Sequence, residues 1–283
     1  MTLKEVLSVI NLKDLCLVQD KHGVQVYKGK QEGKNVYIKH FRQGVNVGEI
    51  KCYEVLSNNG IIVIPFKRLS QDTILFRDME VHSKYRLGEE EDFFNLKVIT
   101  SIARWFKHLH TLSTKKQDEF TFLESERVQF STKELDSLIL KYNDSEVLHR
   151  IKENIIVMNH YLLNCELVLI HDDFYYKNFF VNDLSEVMLF DFNYMKLGLA
   201  SQELSLIRRN LRSASTESEE HFVSEYGEYN KLEYQVYELY RHINCLYVAH
   251  SMDKFPSWAD ESKQFLLSGK ITELTKSVLT EMN

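Results

Sequence analysis

Apolar positions recur along this chain with two different periods, and the change from one to the other divides it. In the first part they alternate. Val24, Val26 and Tyr27 precede the polar stretch Gly29-Lys30-Gln31-Glu32-Gly33-Lys34-Asn35, and Val36, Ile38 and Phe41 follow it. Two β-rich runs around a Gly-bearing polar turn predict a hairpin. A helix is expected from about Val47 to Leu56, with Ile50, Tyr53 and Leu56 at helical spacing and Asn58-Asn59-Gly60 as its stop. Ile61-Ile62-Val63-Ile64 and Thr73-Ile74-Leu75-Phe76 read as buried strands.

After about residue 85 the period lengthens. Phe93 to Leu112 carries Leu96, Ile99, Ile102, Ala103, Phe106 and Leu109 on one face, which predicts a long amphipathic helix ending near His110. Further helices are expected at about 131–142 and 145–164. Leu167-Val168-Leu169-Ile170 is a short buried strand that runs into the polar cluster 171–178, and two short β runs, 179–182 and 187–190, lead to Asp191. The chain reads as helical again from about Gln202. A β-rich start followed by a helix-rich remainder with a small β insert makes the fold class α+β with two lobes.

The size of 283 residues allows such a pair of lobes. The net charge of −6 argues against a nucleic-acid binder, which ordinarily carries a basic face. No apolar run is long enough to span a bilayer, and Met1 to Val6 lacks the pattern of a secretory signal. Cys16, Cys52, Cys165 and Cys245 are scattered without metal-ligand spacing, as expected of free thiols in a reducing cytoplasm.

The polar residues that follow the strand at 167–170 carry the candidate chemistry. Phosphoryl transfer needs a carboxylate to orient and deprotonate an acceptor hydroxyl, oxygen donors to hold Mg²⁺ on the nucleotide phosphates, and a cation on those phosphates. Asp173 lies in the loop behind the strand, Asn178 five residues later on the same loop, and Asp191 behind a second strand-like run. A hairpin between them can return Asp191 beside Asn178. His171, at the start of the loop, can brace its backbone.

His171-x-Asp173-x-x-x-x-Asn178 followed by Asp191-Phe192 resembles the catalytic and metal loops of the aminoglycoside phosphotransferase and choline kinase superfamily, itself related in fold to protein kinases. The resemblance covers most of the chain. Gly23 to Lys39 looks like the hairpin that covers the nucleotide and supplies a phosphate-binding lysine. Glu49-Ile50-Lys51-Cys52-Tyr53-Glu54-Val55-Leu56 looks like the helix whose glutamate pairs with that lysine. Ile74 to Met79 resembles the strand and hinge between lobes, and Ile102 to His110 the helix ending in Leu-His.

The resemblance implies a bilobal protein-kinase-like fold, with residues 1–78 as a small nucleotide-binding lobe and 79–283 as a larger, mainly helical lobe carrying the catalytic loop, metal loop and acceptor site. It implies Asp173 as catalytic base, Asn178 and Asp191 as Mg²⁺ ligands, Lys39 on the nucleotide phosphates, Glu49 holding Lys39, and His171 as a structural residue. ATP is the implied nucleotide, with GTP left open, and the acceptor is a hydroxyl of a small molecule such as an aminoglycoside or amino alcohol.

Each residue also has an ordinary reading. Asp173, Asn178 and Asp191 are common turn residues, Lys39 is a solvent-facing strand lysine, and Glu54 rivals Glu49 on the same helix. The acidic run Glu217, Glu219, Glu220, Glu225, Glu228 and Glu233 is a solvated helix face, or alternatively a site for a cationic acceptor. The chain also departs from the family pattern. Asp172 stands where small-molecule kinases usually have Gly, Asn193 where an acid is frequent, and Lys21-His22-Gly23-Val24-Gln25-Val26 has a single glycine and no GxGxxG. Leu204-Ser205-Leu206-Ile207-Arg208-Arg209, with Phe174-Tyr175-Tyr176, resembles kinase-like proteins of bacterial spore coats. That leaves a binding or structural protein with little catalysis as the alternative.

Overall fold

The computed structural model describes residues 5, 7, 10, 12–42, 48–82, 84–143 and 145–282. Val47, where the first helix is expected to start, and most of the segment Met1 to Val6 lie outside the described residues. The alternation in the first part produces a five-stranded antiparallel sheet in the order β1-β2-β3-β5-β4, built from Lys13–Lys21, Val24–Gln31, Lys34–Phe41, Thr73–Arg77 and, as β4, Phe66–Arg68. The β2–β3 turn is tighter than expected: the strands run on to Gln31 and Lys34, and Glu32 and Gly33 turn with φ of 52° and 78°. Val36, Ile38 and Leu75 form a buried cluster across β3 and β5.

One expected strand is not there. Within Ile61-Ile62-Val63-Ile64 the ladder reduces to a single parallel bridge, Val63 to Leu189. The carbonyl of Ile62 instead accepts the indole N–H of Trp105 at 2.9 Å. Pro65 then removes a ladder donor, and the paired strand forms just beyond it at Phe66–Arg68.

Helix α1, Gly48–Asn58, follows the sheet and stops at Gly60, whose φ of 78° needs a residue without a Cβ. A four-residue turn of helix, α2 (Met79–His82), and strand β6 (Tyr85–Leu87) come next. The long amphipathic helix α3 covers Leu96–Lys115, with Asn95 accepting from the Lys97 N–H at 3.1 Å as N-cap. This cap starts the helix three residues after Phe93. Leu96 in its first turn is therefore 36% exposed, while Ile99, Ile102, Ala103, Phe106 and Leu109 are fully buried. Each such burial contributes roughly 1.5–3 kcal/mol for the larger side chains.

After α4 (Thr132–Lys141), the expected single helix at 145–164 is two, α5 (Glu146–Glu153) and α6 (Ile155–Asn164). Asn154 separates them: its side-chain amide donates to the Arg150 carbonyl at 2.9 Å, in competition with the helical backbone. Strand β7 (Leu167–Ile170) is buried throughout. Strands β8 (Phe179–Asn182) and β9 (Val187–Leu189) form an antiparallel hairpin that β6 joins. Strand β10 (Lys196–Leu199) precedes α7 (Ala200–Ala214), α8 (Thr216–Tyr226), α9 (Lys231–His250), α10 (Asp260–Leu267) and α11 (Lys270–Met282). Among the described residues no helix is long and apolar enough to cross a membrane.

The chain divides into two compact units. One comprises Met1–Glu124, Leu169–Leu197 and Leu206–Gly227, and the other Ser125–Val168, Gly198–Ser205 and Glu228–Asn283. In the first, α8 packs along α3. In the second, Phe130 exchanges two backbone hydrogen bonds with the Asn159 side chain, at 2.7 and 2.9 Å, and α9 packs against α4 and α11.

His110 does not end its helix, which continues to Lys115. Its ring is buried, with Nδ1 at 2.7 Å from the Tyr226 hydroxyl on α8. Burial pushes its pKa from 6.5 down to about 3. The unfolded chain then binds more protons between those two pH values. Stability from this group is complete above about pH 6.5 and is lost as pH falls toward about 3. Denaturant unfolding across this range should show a loss on the order of 4–5 kcal/mol in the wild type that is absent in His110→Gln. Parallel pH profiles for the two proteins would contradict this.

Candidate functional site

Strand pairing and one helix bring three charged residues together. Lys39 lies on β3, where burial would starve an ammonium of water unless carboxylates replaced it. Glu49, in the first turn of α1, supplies one: its two oxygens lie 2.9 and 2.7 Å from Lys39 Nζ. Asp191, after β9, supplies the other, with Oδ1 at 2.8 Å. Burial works against the charged lysine, but the two carboxylates outweigh it and hold its pKa above the usual value. Burial pushes Glu49 the other way for an acid, up to about 7, with Lys39 pulling it back down. Glu54 takes no part. It faces Arg68, at 3.1 Å.

The catalytic-loop candidates are fixed by a second set of bonds. The Asn178 amide donates to both the backbone carbonyl and Oδ2 of Asp173, each at 2.8 Å. The Phe190 N–H donates to the Asn178 carbonyl at 3.1 Å, so the β8–β9 hairpin returns the Asp191 loop beside the Asn178 loop. Partial burial raises the Asp173 pKa, while the Asn178 hydrogen bond lowers it. His171 is completely buried, and its Nδ1 accepts from the Asp173 N–H at 3.3 Å. Its proton therefore sits on Nε2, which donates to the Phe190 carbonyl at 3.1 Å. Burial lowers its pKa, so the ring stays neutral and braces both loops.

An aromatic column supports the two loops from below. Tyr53 of α1 packs against Phe192 at 4.6 Å with the rings tilted by 57°, and Phe192 meets the His171 ring edge-on at 5.5 Å. The Tyr53 hydroxyl accepts the backbone N–H of Asp191 at 3.1 Å. Asp191 itself adopts a left-handed backbone, φ 63° and ψ 66°, which is uncommon for a residue with a Cβ and recurs where a site over-determines it.

Lys39, Glu49 and Asp191 stand at the polar end of a cavity of about 560 Å³, whose walls include Val24, Val26, Ile64, Phe76, Leu87 and Phe190. That size, and a lining that combines these apolar walls with charged side chains, suit an organic ligand that carries charge. At the rim, Asp78 is buried and holds the chain where β5 ends. Its carboxylate accepts from Asn35 at 3.3 Å and from the Glu80 N–H at 3.2 Å.

The donor set fits a hard cation. With its amide nitrogen committed to Asp173, Asn178 has its side-chain oxygen left as donor, and Asp191 offers a half-buried carboxylate. Among the described residues no cluster of three His, Cys, Asp or Glu is placed to hold a metal. One amide and one carboxylate is the sparse protein set that Mg²⁺ takes when phosphates and water complete its shell.

Three features escaped sequence reasoning. Asn193 donates to Asp191 Oδ1 at 2.5 Å. Lys196 pairs with Asp172 at 2.5 Å, which neutralises the extra carboxylate beside Asp173. Asp172 has φ of 59°, the left-handed conformation that glycine adopts without cost. The Gly usual in that motif position was the available signal. Replacing Asp172 with Ala or Gly removes the Lys196 pair in both cases, but only Ala meets the left-handed penalty. Asp172→Ala should unfold at lower urea than Asp172→Gly, by about 1 kcal/mol. Equal stability of the two variants would contradict the backbone reading.

No protein-family model matches the chain, and no curated protein matches it. Solved structures do. The choline kinase LicA from Streptococcus pneumoniae is 16% identical with a TM-score of 0.58, over 95% of this chain and 97% of that one. The aminoglycoside phosphotransferase APH(2'')-Ib in its ADP-bound form is 15% identical with a TM-score of 0.58, over 96% and 95%. An ethanolamine kinase from Plasmodium vivax is 16% identical with a TM-score of 0.53, over 94% of this chain and 84% of that one. With its small antiparallel sheet followed by a larger helical part, the chain has the protein-kinase-like α+β fold of the choline kinases and aminoglycoside phosphotransferases.

Proposed function

We propose that the chain is a phosphotransferase that moves the γ-phosphoryl group of Mg-ATP to a hydroxyl of a small molecule. The observation that carries this reading is Lys39, held between Glu49 and Asp191 at the polar end of an apolar cavity. A charged amine fixed in that position meets the α- and β-phosphates of a nucleotide whose base lies among the apolar walls. Residues 1–78 form the nucleotide-binding lobe in this reading, and 79–283 carry the catalytic loop, metal loop and acceptor site.

Asp173 is the base. Asn178 fixes its carboxylate through Oδ2, leaving the other oxygen to accept the proton of the acceptor hydroxyl. The acceptor oxygen then bonds to the γ-phosphorus as the bond to the β-γ bridging oxygen breaks, and ADP leaves. Such a transfer depends on positioning and charge stabilisation more than on covalent chemistry. Asn178 and Asp191 would hold Mg²⁺, which supplies charge neutralisation on the phosphates. Glu49 keeps Lys39 on station, and His171 keeps both loops in register. Choline, ethanolamine and aminoglycosides, named for the structural neighbours, set the class of acceptor to try: hydroxylated amines.

A second reading is a kinase-fold binding protein, like the spore-coat proteins, with little or no turnover. Asn193 favours it: it stands where an acid is frequent in the superfamily and donates to Asp191 Oδ1, so the site has one carboxylate fewer for a metal. Nucleotide consumption in the presence of hydroxylated amines, sugars and aminoglycosides distinguishes the two. An acceptor-dependent rate in the wild type should fall ~10²–10⁴-fold in Asp173→Asn. Unchanged turnover in that variant would remove Asp173 from the chemistry, and no turnover with any acceptor would favour the second reading.

A further inference from the structure

The cover of the cavity is chemically unlike a glycine-rich loop. Strands β1 and β2 are joined by only two residues, His22 and Gly23, with φ of 51° and 79°. Both angles are positive, which makes this a type I′ hairpin turn. A glycine-rich loop covers phosphates with a run of free backbone N–H groups, and a two-residue turn has almost none to offer.

The strand register places a side chain where those amides are missing. Gln19 pairs with Val26, and Val26 with Lys39, so these three share one face of the sheet in a single cross-strand row. Lys21 pairs with Val24, and Val24 with Phe41, which forms the next row on the same face. Lys39 Nζ already leans toward that row, 5.7 Å from the centre of the Phe41 ring. Lys21 and His22 line the cavity together with Lys39 and Asp191. The acid next to Lys21 is turned away: Asp20 alternates to the other face, where it takes Arg42 and the Gln25 amide.

We propose that Lys21 is a second cationic contact to the polyphosphate of the bound nucleotide, substituting for the amide donors that the short turn lacks. The inference rests on the nucleotide-binding reading above and adds to it a residue outside the catalytic motif. A lysine on an exposed hairpin is a point charge with a flexible stem, suited to following a phosphate chain and not to fixing one geometry. It therefore contributes to binding of the phosphates and leaves the base-binding part of the cavity alone.

Calorimetric titration of wild type, Lys21→Met and Lys21→Arg with Mg-ATP and with adenosine tests this at fixed ionic strength. Lys21→Met should bind Mg-ATP about 2- to 5-fold more weakly, toward the upper end for one exposed charge pair. Lys21→Arg should stay near wild type, and adenosine should bind all three equally. Equal affinity of wild type and Lys21→Met for Mg-ATP would overturn the assignment of Lys21 alone. So would an equal loss for adenosine, which would make Lys21 part of the cover's structure. A wild type that binds neither Mg-ATP nor adenosine would overturn the nucleotide-binding reading and this inference with it.

Discussion

A buried lysine cannot stay charged without carboxylates, and this structure is organised around supplying them to Lys39. One comes from α1 and the other from the loop after β9, so a single ammonium ties the sheet, the helix and the metal-loop candidate together. Removing Lys39 leaves two carboxylates without their cation, one of them buried, which costs more than the loss of an exposed pair. The same arrangement places the Lys39 ammonium and its two carboxylates in the wall of the cavity.

The aromatic column makes that arrangement rigid. Tyr53 reaches Asp191 through a hydrogen bond and Phe192 through ring contact, while His171 links the Asp173 backbone to Phe190. The backbones of Asp173 and Asp191 are thus held by His171 and Tyr53, while Asn178, Lys39 and Asn193 hold their carboxylates. Fixed positions of this kind are what an in-line transfer requires, because the reaction draws on orientation and electrostatics already in place before the substrate binds.

Much of this was legible in the sequence where burial leaves a period. Helix α3 has one buried face, β5 is a continuous buried run, and the hairpin of β8 and β9 falls where the apolar runs at 179–182 and 187–190 stand. Strand β1 was not legible. All nine of its residues are exposed, and its pairing slips between Lys13 and Cys16 and again between Leu17 and Gln19, so no alternation survives. Glu49 and Glu54 compete in the sequence, and only the helix phase decides that Glu49 meets Lys39. The Asp172–Lys196 pair links residues far apart in the chain by charge alone, which leaves no pattern to read.

If Lys39 is held charged in order to receive a nucleotide, ligand binding should depend on it. Thermal melting of wild type and Lys39→Met, each with and without saturating Mg-ATP, measures this directly. At about 100-fold excess over Kd, bound ligand adds about 2.7 kcal/mol and raises the melting temperature by about 5 °C. The account predicts that rise in the wild type, its dependence on Mg²⁺, and its loss in Lys39→Met. No rise in the wild type, or the same rise in both proteins, would contradict it.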